Sequence, residues 1–213
     1  MYLSKKDIEN TERIKRLNII NSISGVKPAN LIGSISKDGI HNLAIFSSVI
    51  HLGSNPALLG VIIRPGEKVR RDTYDNIRET GVYTINHIHS DFTEQAHYTS
   101  AKFDSDDSEF EKCGLTPALL HDFEAPFVKE SPLKIGMRFL EEIPIKANGT
   151  RMIIGEVEHL EMPDEALGEN DQLDLEVLQT VGISGLNSYY TLSKIASYPY
   201  ARPHETPDFK KNH

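Results

Sequence analysis

"PLKIGMRFLEEIPIKANGTRMIIGEVEHLEM", residues 132–162, decides the fold class. Asn148-Gly149 is a preferred dipeptide for a two-residue turn between antiparallel strands, because such a turn needs positive φ at both positions. Ile, Met, Phe and Val recur on either side, so the spacing predicts a long hairpin closed at Asn148-Gly149. The rest of the chain keeps this character. "PALLGVIIRPGEK" (56–68) reads as an apolar strand over 57–63 that stops at Arg64-Pro65-Gly66. "ANLIGSISKDGIHNLAIFSSVIHL" (29–52) reads as two strands joined at Lys37-Asp38-Gly39. "GVYTINHI" (81–88) alternates as a strand with two different faces.

The predicted helices are few and short. One is amphipathic over 7–20, with Ile8, Ile14, Leu17 and Ile19 among charges. Others fall over 70–81, within 90–100 entered from Ser90 or Asp91, and over 106–112. Strands dominate and do not alternate regularly with helices, which favours a mainly β fold, an antiparallel barrel with short flanking helices, over a parallel sheet. A single domain over 1–213 is expected, with a helical extension to about residue 22, a surface loop over 165–175 and a polar, proline-rich tail from about 198. Leu186, Tyr189, Tyr190, Leu192 and Ile195 lie at helical spacing. They suit packing within the chain, and the two tyrosines are placed to reach a partner subunit.

Lys and Arg number 23 against 31 Asp and Glu, a net charge of −8, which argues against a general nucleic-acid binder. Cys113 is the single cysteine, so neither an intrachain disulfide nor a thiolate zinc site is available within one chain. No apolar leader opens the sequence, and no window approaches the length of a membrane span. A cytoplasmic protein without membrane association is expected.

Four features bear on chemistry. "RRDTYDNIRETG" (70–81) reads as a helix capped by Asp72 or Thr73 and ended by Gly81. Lys68, Arg70 and Arg71 precede it, at the dipole end where cations are unfavourable. A bound anion would account for them, with Arg64 and Thr73 nearby. A solvated charged loop is the other reading, and the local spacing alone favours it. Ser47-Ser48 interrupts an apolar run before Val49-Ile50, and those hydroxyls need partners from a ligand or from neighbouring backbone. His87 and His89, two apart, would share one face of a strand, and His97, Glu94 or Asp91 would be the third ligand of a metal site, but the spacing matches no established metal motif; hydrogen-bonding histidines are the simpler reading. There is no G-x-G-x-x-G, Walker A loop, H-E-x-x-H or G-x-S-x-G.

The run "PANLIGSISKDGIHNLAIFSSVIHLGSNPALLGVIIRP" (28–65), followed by "RRDTYDNIRETGVYTIN" (70–86), resembles the flavin reductase-like family, the FMN-binding split barrels. "EQAHYTSAKF" and "SEFEKCGL" resemble the segment that follows, so the likeness covers about half of the chain. It implies a split barrel of antiparallel Greek-key type. It implies that Arg70, Arg71 and Thr73 hold the FMN phosphate, with Arg64 reaching in from the preceding strand. Ser47 and Ser48, with backbone from Phe46 to Val49, would line the isoalloxazine and ribityl chain, and Asn42 would fix the strand rather than touch flavin. The family implies a homodimer with flavin near the interface, and hydride transfer from NAD(P)H to flavin with no catalytic side chain. FAD is the less favoured flavin. The principal expectation is an NAD(P)H-dependent flavin reductase, which would pass electrons to a monooxygenase or another acceptor. The alternative is an FMN-holding electron-transfer protein, flavoredoxin-like or ferric-reductase-like, without pyridine-nucleotide activity. A module for some other phosphorylated ligand is a third reading.

Overall fold

The computed structural model describes residues 1–66, 70–104, 106–168 and 170–209. In chain order the elements are α1 (Lys5–Asn10), α2 (Arg13–Ser22), β1 (Lys27–Pro28), β2 (Asn30–Ile35), β3 (His41–Phe46), β4 (Val49–Ser54) and β5 (Ala57–Ile63). Then come α3 (Asp72–Thr80), β6 (Val82–His87), α4 (Thr93–Tyr98), α5 (Glu109–Lys112), β7 (Pro117–Ala118) and β8 (Phe127–Val128). The hairpin strands β9 (Lys134–Ile145) and β10 (Thr150–Glu161) follow, then β11 (Val181–Ser184) and β12 (Ser188–Thr191).

Seven strands form one antiparallel sheet in the order β3-β2-β6-β9-β10-β5-β4. Its two edge strands, β3 and β4, are consecutive in the chain and are joined only by Ser47-Ser48. Three peptide steps from Phe46 to Val49 reach at most about 11 Å. The two edges must therefore meet at that end, and the sheet curls into a barrel to bring them there. β3 and β4 share no ladder, so the barrel stays split along that seam. This geometry corrects the reading of 29–52 as two strands. The run holds three, and the serine pair is where the chain steps across the seam.

The interior is apolar, with Ile32, Val61, Tyr83, Met137 and Ile153 among its buried side chains. A second cluster outside the barrel packs Leu31 and Leu43 against Phe92, Ala96, Phe110 and Ile183. The strand expected over 57–63 is found with those bounds. β6 differs in one respect: Val82 through Asn86 are all buried, because the second cluster and the Phe127–Val128 segment cover the face turned away from the barrel.

Three local expectations are corrected. The long hairpin forms, but its turn holds four residues, since Ile145 pairs with Thr150. Gly149 alone takes the left-handed conformation (φ 74°), and the Ile145 carbonyl accepts from the Gly149 amide at 3.0 Å. The Asn148 carboxamide oxygen accepts instead from the Thr150 amide (3.1 Å) and hydroxyl (2.7 Å). The N-terminal helix is two helices, broken at Thr11 (ψ 139°). Ser4 and Asp7 form a capping box on α1, and the Glu12 carboxylate caps α2 from the amides of Ile14 and Lys15, both at 2.9 Å. Residues 186–195 are not helical. They include β12, which pairs with β11 and so turns Tyr189 towards the second cluster and leaves adjacent Tyr190 exposed. Among the described residues no helix is long and apolar enough to cross a membrane.

Candidate functional site

The first turn of α3 is anchored to the barrel by buried polar groups. Asn42 on β3 donates to the Ser34 hydroxyl (3.2 Å) and the Thr73 hydroxyl (3.0 Å), and Asn76 donates to Ser34 at 3.1 Å. All four residues are buried, so each bond replaces water that cannot reach them. Asn42 thereby ties β3 both to β2 and to the start of α3. This anchoring also corrects the cap. Asp72 and Thr73 lie inside the helix and Arg71 is the capping position, with no side-chain bond to the first turn. Thr73 fails as a cap because its hydroxyl is turned to Asn42, and Asp72 because it pairs with Arg70. Gly81 ends the helix in the left-handed conformation (φ 77°), as the spacing predicts.

The basic residues part company. Arg70 is exposed, pairs with Asp72, and lines a small cleft with Ser36, Asn42, Asn76 and Glu109. Glu109 is itself a half-buried carboxyl, raised above its usual range by desolvation, that accepts from the Leu43 amide at 3.0 Å. Arg71 is half-buried, and its Nε is shut off from solvent with no hydrogen-bond partner among the described residues. A buried donor left unpaired costs about 1–3 kcal/mol, more on a charged group, so this position is unfavourable until an acceptor arrives. Arg64 is exposed just beyond β5. Lys68 lies outside the described residues.

The Ser48 hydroxyl finds a partner in the neighbouring backbone, donating to the Ile62 carbonyl at 2.9 Å. Val49 pairs with Val61, so the start of β4 lies against the end of β5, and Arg64 follows directly after Ile63. Phe46 and Val49 pack against the barrel interior, while Ser47 is half-buried. The sequence-predicted residues thus form two groups. Phe46, Ser47, Ser48, Val49 and Arg64 gather at the seam. Arg71 and Thr73 gather at the start of α3, which is tied to β3 four residues before the seam, about 13 Å along the strand.

Sequence reasoning missed a clamp on this helix. The Tyr74 hydroxyl donates to Glu142 at 2.9 Å, Arg151 Nε pairs with the same carboxylate at 2.9 Å, and the Arg151 guanidinium lies 4.9 Å above the Tyr74 ring. Tyr74 and Glu142 are 68 residues apart, so no local signal marks the pair. The clamp fixes the first turn of α3 to the β9–β10 hairpin.

The histidines go separate ways. His89 Nδ1 accepts from the Asp91 amide at 3.1 Å, and His97 Nδ1 lies 3.2 Å from the Tyr189 hydroxyl, whose pKa burial pushes up to about 12. Burial pushes His87 down to about 4. An imidazole held neutral in the fold but free to protonate near 6.5 when unfolded contributes stability that is complete above that pH. It is lost as pH falls towards 4, by up to about 3 kcal/mol, less whatever its solvent-exposed edge screens. The urea midpoint should therefore drop between pH 6.5 and 4, and a folded His87→Gln variant should show a shallower drop. An unchanged slope in that variant would assign the loss to other groups. Among the described residues no group of three or more His, Cys, Asp or Glu is placed to hold a metal ion.

A family model for the flavin reductase like domain matches residues 26–178, which spans β1 to Leu178 and includes both groups of site residues. In structure the chain is similar to a candidate flavin reductase with a split barrel domain from Shewanella frigidimarina NCIMB 400. That likeness has 50% identity and TM-score 0.90, over 94% of this chain and 100% of the other. It is also similar to nitrilotriacetate monooxygenase component B from Bacillus cereus (20% identity, TM-score 0.80, 93% and 98% of the two chains). A third likeness is to the flavoredoxin of Desulfovibrio vulgaris (Miyazaki F) (21%, TM-score 0.72, 83% and 92%). These last two likenesses are likenesses of fold.

Proposed function

Because the chain belongs to the flavin reductase-like family, we propose that it binds FMN across the two groups of residues and accepts hydride from NAD(P)H. The observation that carries the reading is the buried, unpartnered Nε of Arg71 at the uncapped N-terminus of a nine-residue helix. Helix amides and a guanidinium together make an anion site of the strength a phosphate needs. The separation between α3 and the seam suits a ligand with its phosphate at one end and its ring at the other.

FMN, when bound, supplies the two-electron acceptor for the hydride. The chain's own residues bind and orient. Arg71 and the first amides of α3 hold phosphate, with Arg64 adding charge from the end of β5. Thr73 is held in place by Asn42, and the Tyr74–Glu142–Arg151 clamp keeps the helix start rigid. The half-buried 46–49 link forms the wall against the ring and excludes water from it. No side chain is asked to move a proton, so no catalytic residue is assigned. The active unit is a homodimer, and the reduced flavin serves a monooxygenase or another electron acceptor.

The purified protein is expected to be yellow. Anaerobic mixing with NADH or NADPH should bleach the flavin band rapidly. A yellow protein that neither nucleotide bleaches is an electron carrier of the flavoredoxin kind, which is the alternative reading. A colourless protein that takes up no added FMN would overturn both.

A further inference from the structure

The chain leaves β12 as an arm over residues 192–209 that contains no strand and one short turn, Pro203–Glu205. Its root is fixed. Leu192 and Val26, from opposite ends of the chain, both lie over Gly182, and the Ser193 hydroxyl donates to Glu176 at 3.1 Å. Beyond the root its large apolar side chains are bare: Ile195 is 99% exposed, Tyr198 88%, Tyr200 83% and Phe209 69%. A merely solvated tail has no use for three aromatic rings and an isoleucine. Pro199, Pro203 and Pro207 also restrict the free arm, which lowers the entropy lost when it docks.

A matching surface lies on the outside of the barrel. Ile50 pairs with Gly60, Met152 with Ile62, and Ile143 with Met152, so these residues share the outer face of four adjacent strands. A Cβ placed at Gly60 would meet Leu52 at 3.1 Å, Ile50 at 3.2 Å and Met152 at 3.4 Å, so the three side chains close over the glycine as one apolar patch. Ile50, Leu52 and Ile143 remain exposed on it. The patch begins beside Ser48 and so adjoins the seam.

We infer that the arm of one chain seats on this outer face of a second copy, and that the exchange is reciprocal. Arm and face are both bare within one chain, and each supplies what the other lacks. The arm spans up to roughly 55 Å when extended, enough to cross a neighbouring barrel. At about 150–250 Å² for each aromatic ring, one arm carries roughly 600 Å² of contact surface. Two arms in a two-fold exchange carry roughly 1,200 Å² before the receiving faces are counted, which reaches the range of stable interfaces. The arm would thus complete the wall of its partner's flavin site. This deepens the homodimer reading above and rests on it.

The test compares full-length protein, a chain ending at Ser193, and full-length Tyr198→Ser/Tyr200→Ser by sedimentation velocity across a concentration series, with thermal melts alongside. The full-length chain should be a dimer. Both altered chains should keep a folded melt and show a dimer dissociation constant raised at least about 100-fold. If the truncated chain fails to fold, the double variant carries the comparison. Full-length Tyr198→p-benzoylphenylalanine, mixed as light- and heavy-isotope chains and irradiated, should link between chains to β4, β5 or β10. A dimer whose affinity ignores the arm, or links confined to one chain, would overturn the arm exchange and leave the dimer standing. A full-length monomer would overturn both.

Discussion

Arg71→Ala should raise the FMN dissociation constant roughly 10- to 100-fold, the equivalent of a charge-assisted contact worth about 1.5–3 kcal/mol. The melting temperature of the apo protein should move by no more than about 1–2 °C. The asymmetry follows from what Arg71 touches. Without an anion its Nε has no partner among the described residues, and its charge sits at the positive end of α3. Deleting it from the apo protein therefore removes an unfavourable group along with some packing. With phosphate bound, the same group supplies paired donors in a water-poor place. Arg70→Ala should do much less, about threefold or under in affinity. Arg70 is exposed, and its guanidinium is already engaged by Asp72. Fluorescence-quenching titration of FMN, run beside thermal melts of apo protein, reads both effects. If Arg71→Ala and Arg70→Ala both bind FMN like the parent chain, the phosphate site is not at this helix.

The split between the two arginines shows where sequence is informative and where it stops. A run of cations before a predicted helix is visible in one dimension. Which of two neighbours faces inward is not, because it depends on Asn42 taking the Thr73 hydroxyl 31 residues away. The same long-range bond defeated the local capping rule. The strand over 57–63 was legible because its limits are local: Asn55-Pro56 before it, Arg64-Pro65-Gly66 after it, and an apolar run between. The step at Ser47-Ser48 was visible only as two hydroxyls in an apolar stretch. Its meaning, a passage between opposite edges of a curled seven-strand sheet, comes from pairings made by β6, β9 and β10 much later in the chain. Tyr189 and Tyr190 failed as a helical stripe for a related reason. Over so few residues the two periods are hard to tell apart, and pairing with β11 decided for the strand. The family resemblance stands apart from these local signals, because it rests on the order of many weak motifs rather than on any one of them.

Gly33→Ala should be the most damaging single-methyl change in the barrel, costing about 3 kcal/mol or more and lowering the melting temperature by roughly 6–12 °C. Gly33 lies in the middle of β2, paired with Leu43 on one side and Thr84 on the other. A Cβ there would stand 2.2 Å from the Pro126 carbonyl oxygen and 2.6 Å from the Thr84 hydroxyl. The first obstacle is backbone and cannot rotate away. The second is occupied, since Thr84 donates to that same carbonyl at 2.7 Å and accepts from Asn86 at 2.8 Å. Asn86 in turn accepts from the Val128 amide at 3.0 Å. One methyl therefore lifts the 126–128 segment from the sheet and exposes a chain of buried polar groups to desolvation without partners, which is the expensive kind of loss. The next residue, Ser34, receives Asn42 and Asn76, so the disturbance begins one step from the anchor of α3. FMN affinity should fall together with stability, unlike the Arg71 case, where the two separate. Gly39→Ala is the control: Gly39 has φ +83° but nothing within 4 Å of an added Cβ. It should cost only the left-handed backbone strain, about 1–2 kcal/mol, and leave FMN binding alone. A Gly33→Ala protein that melts within about 2 °C of the parent would mean that the 126–128 segment does not press on β2 in solution.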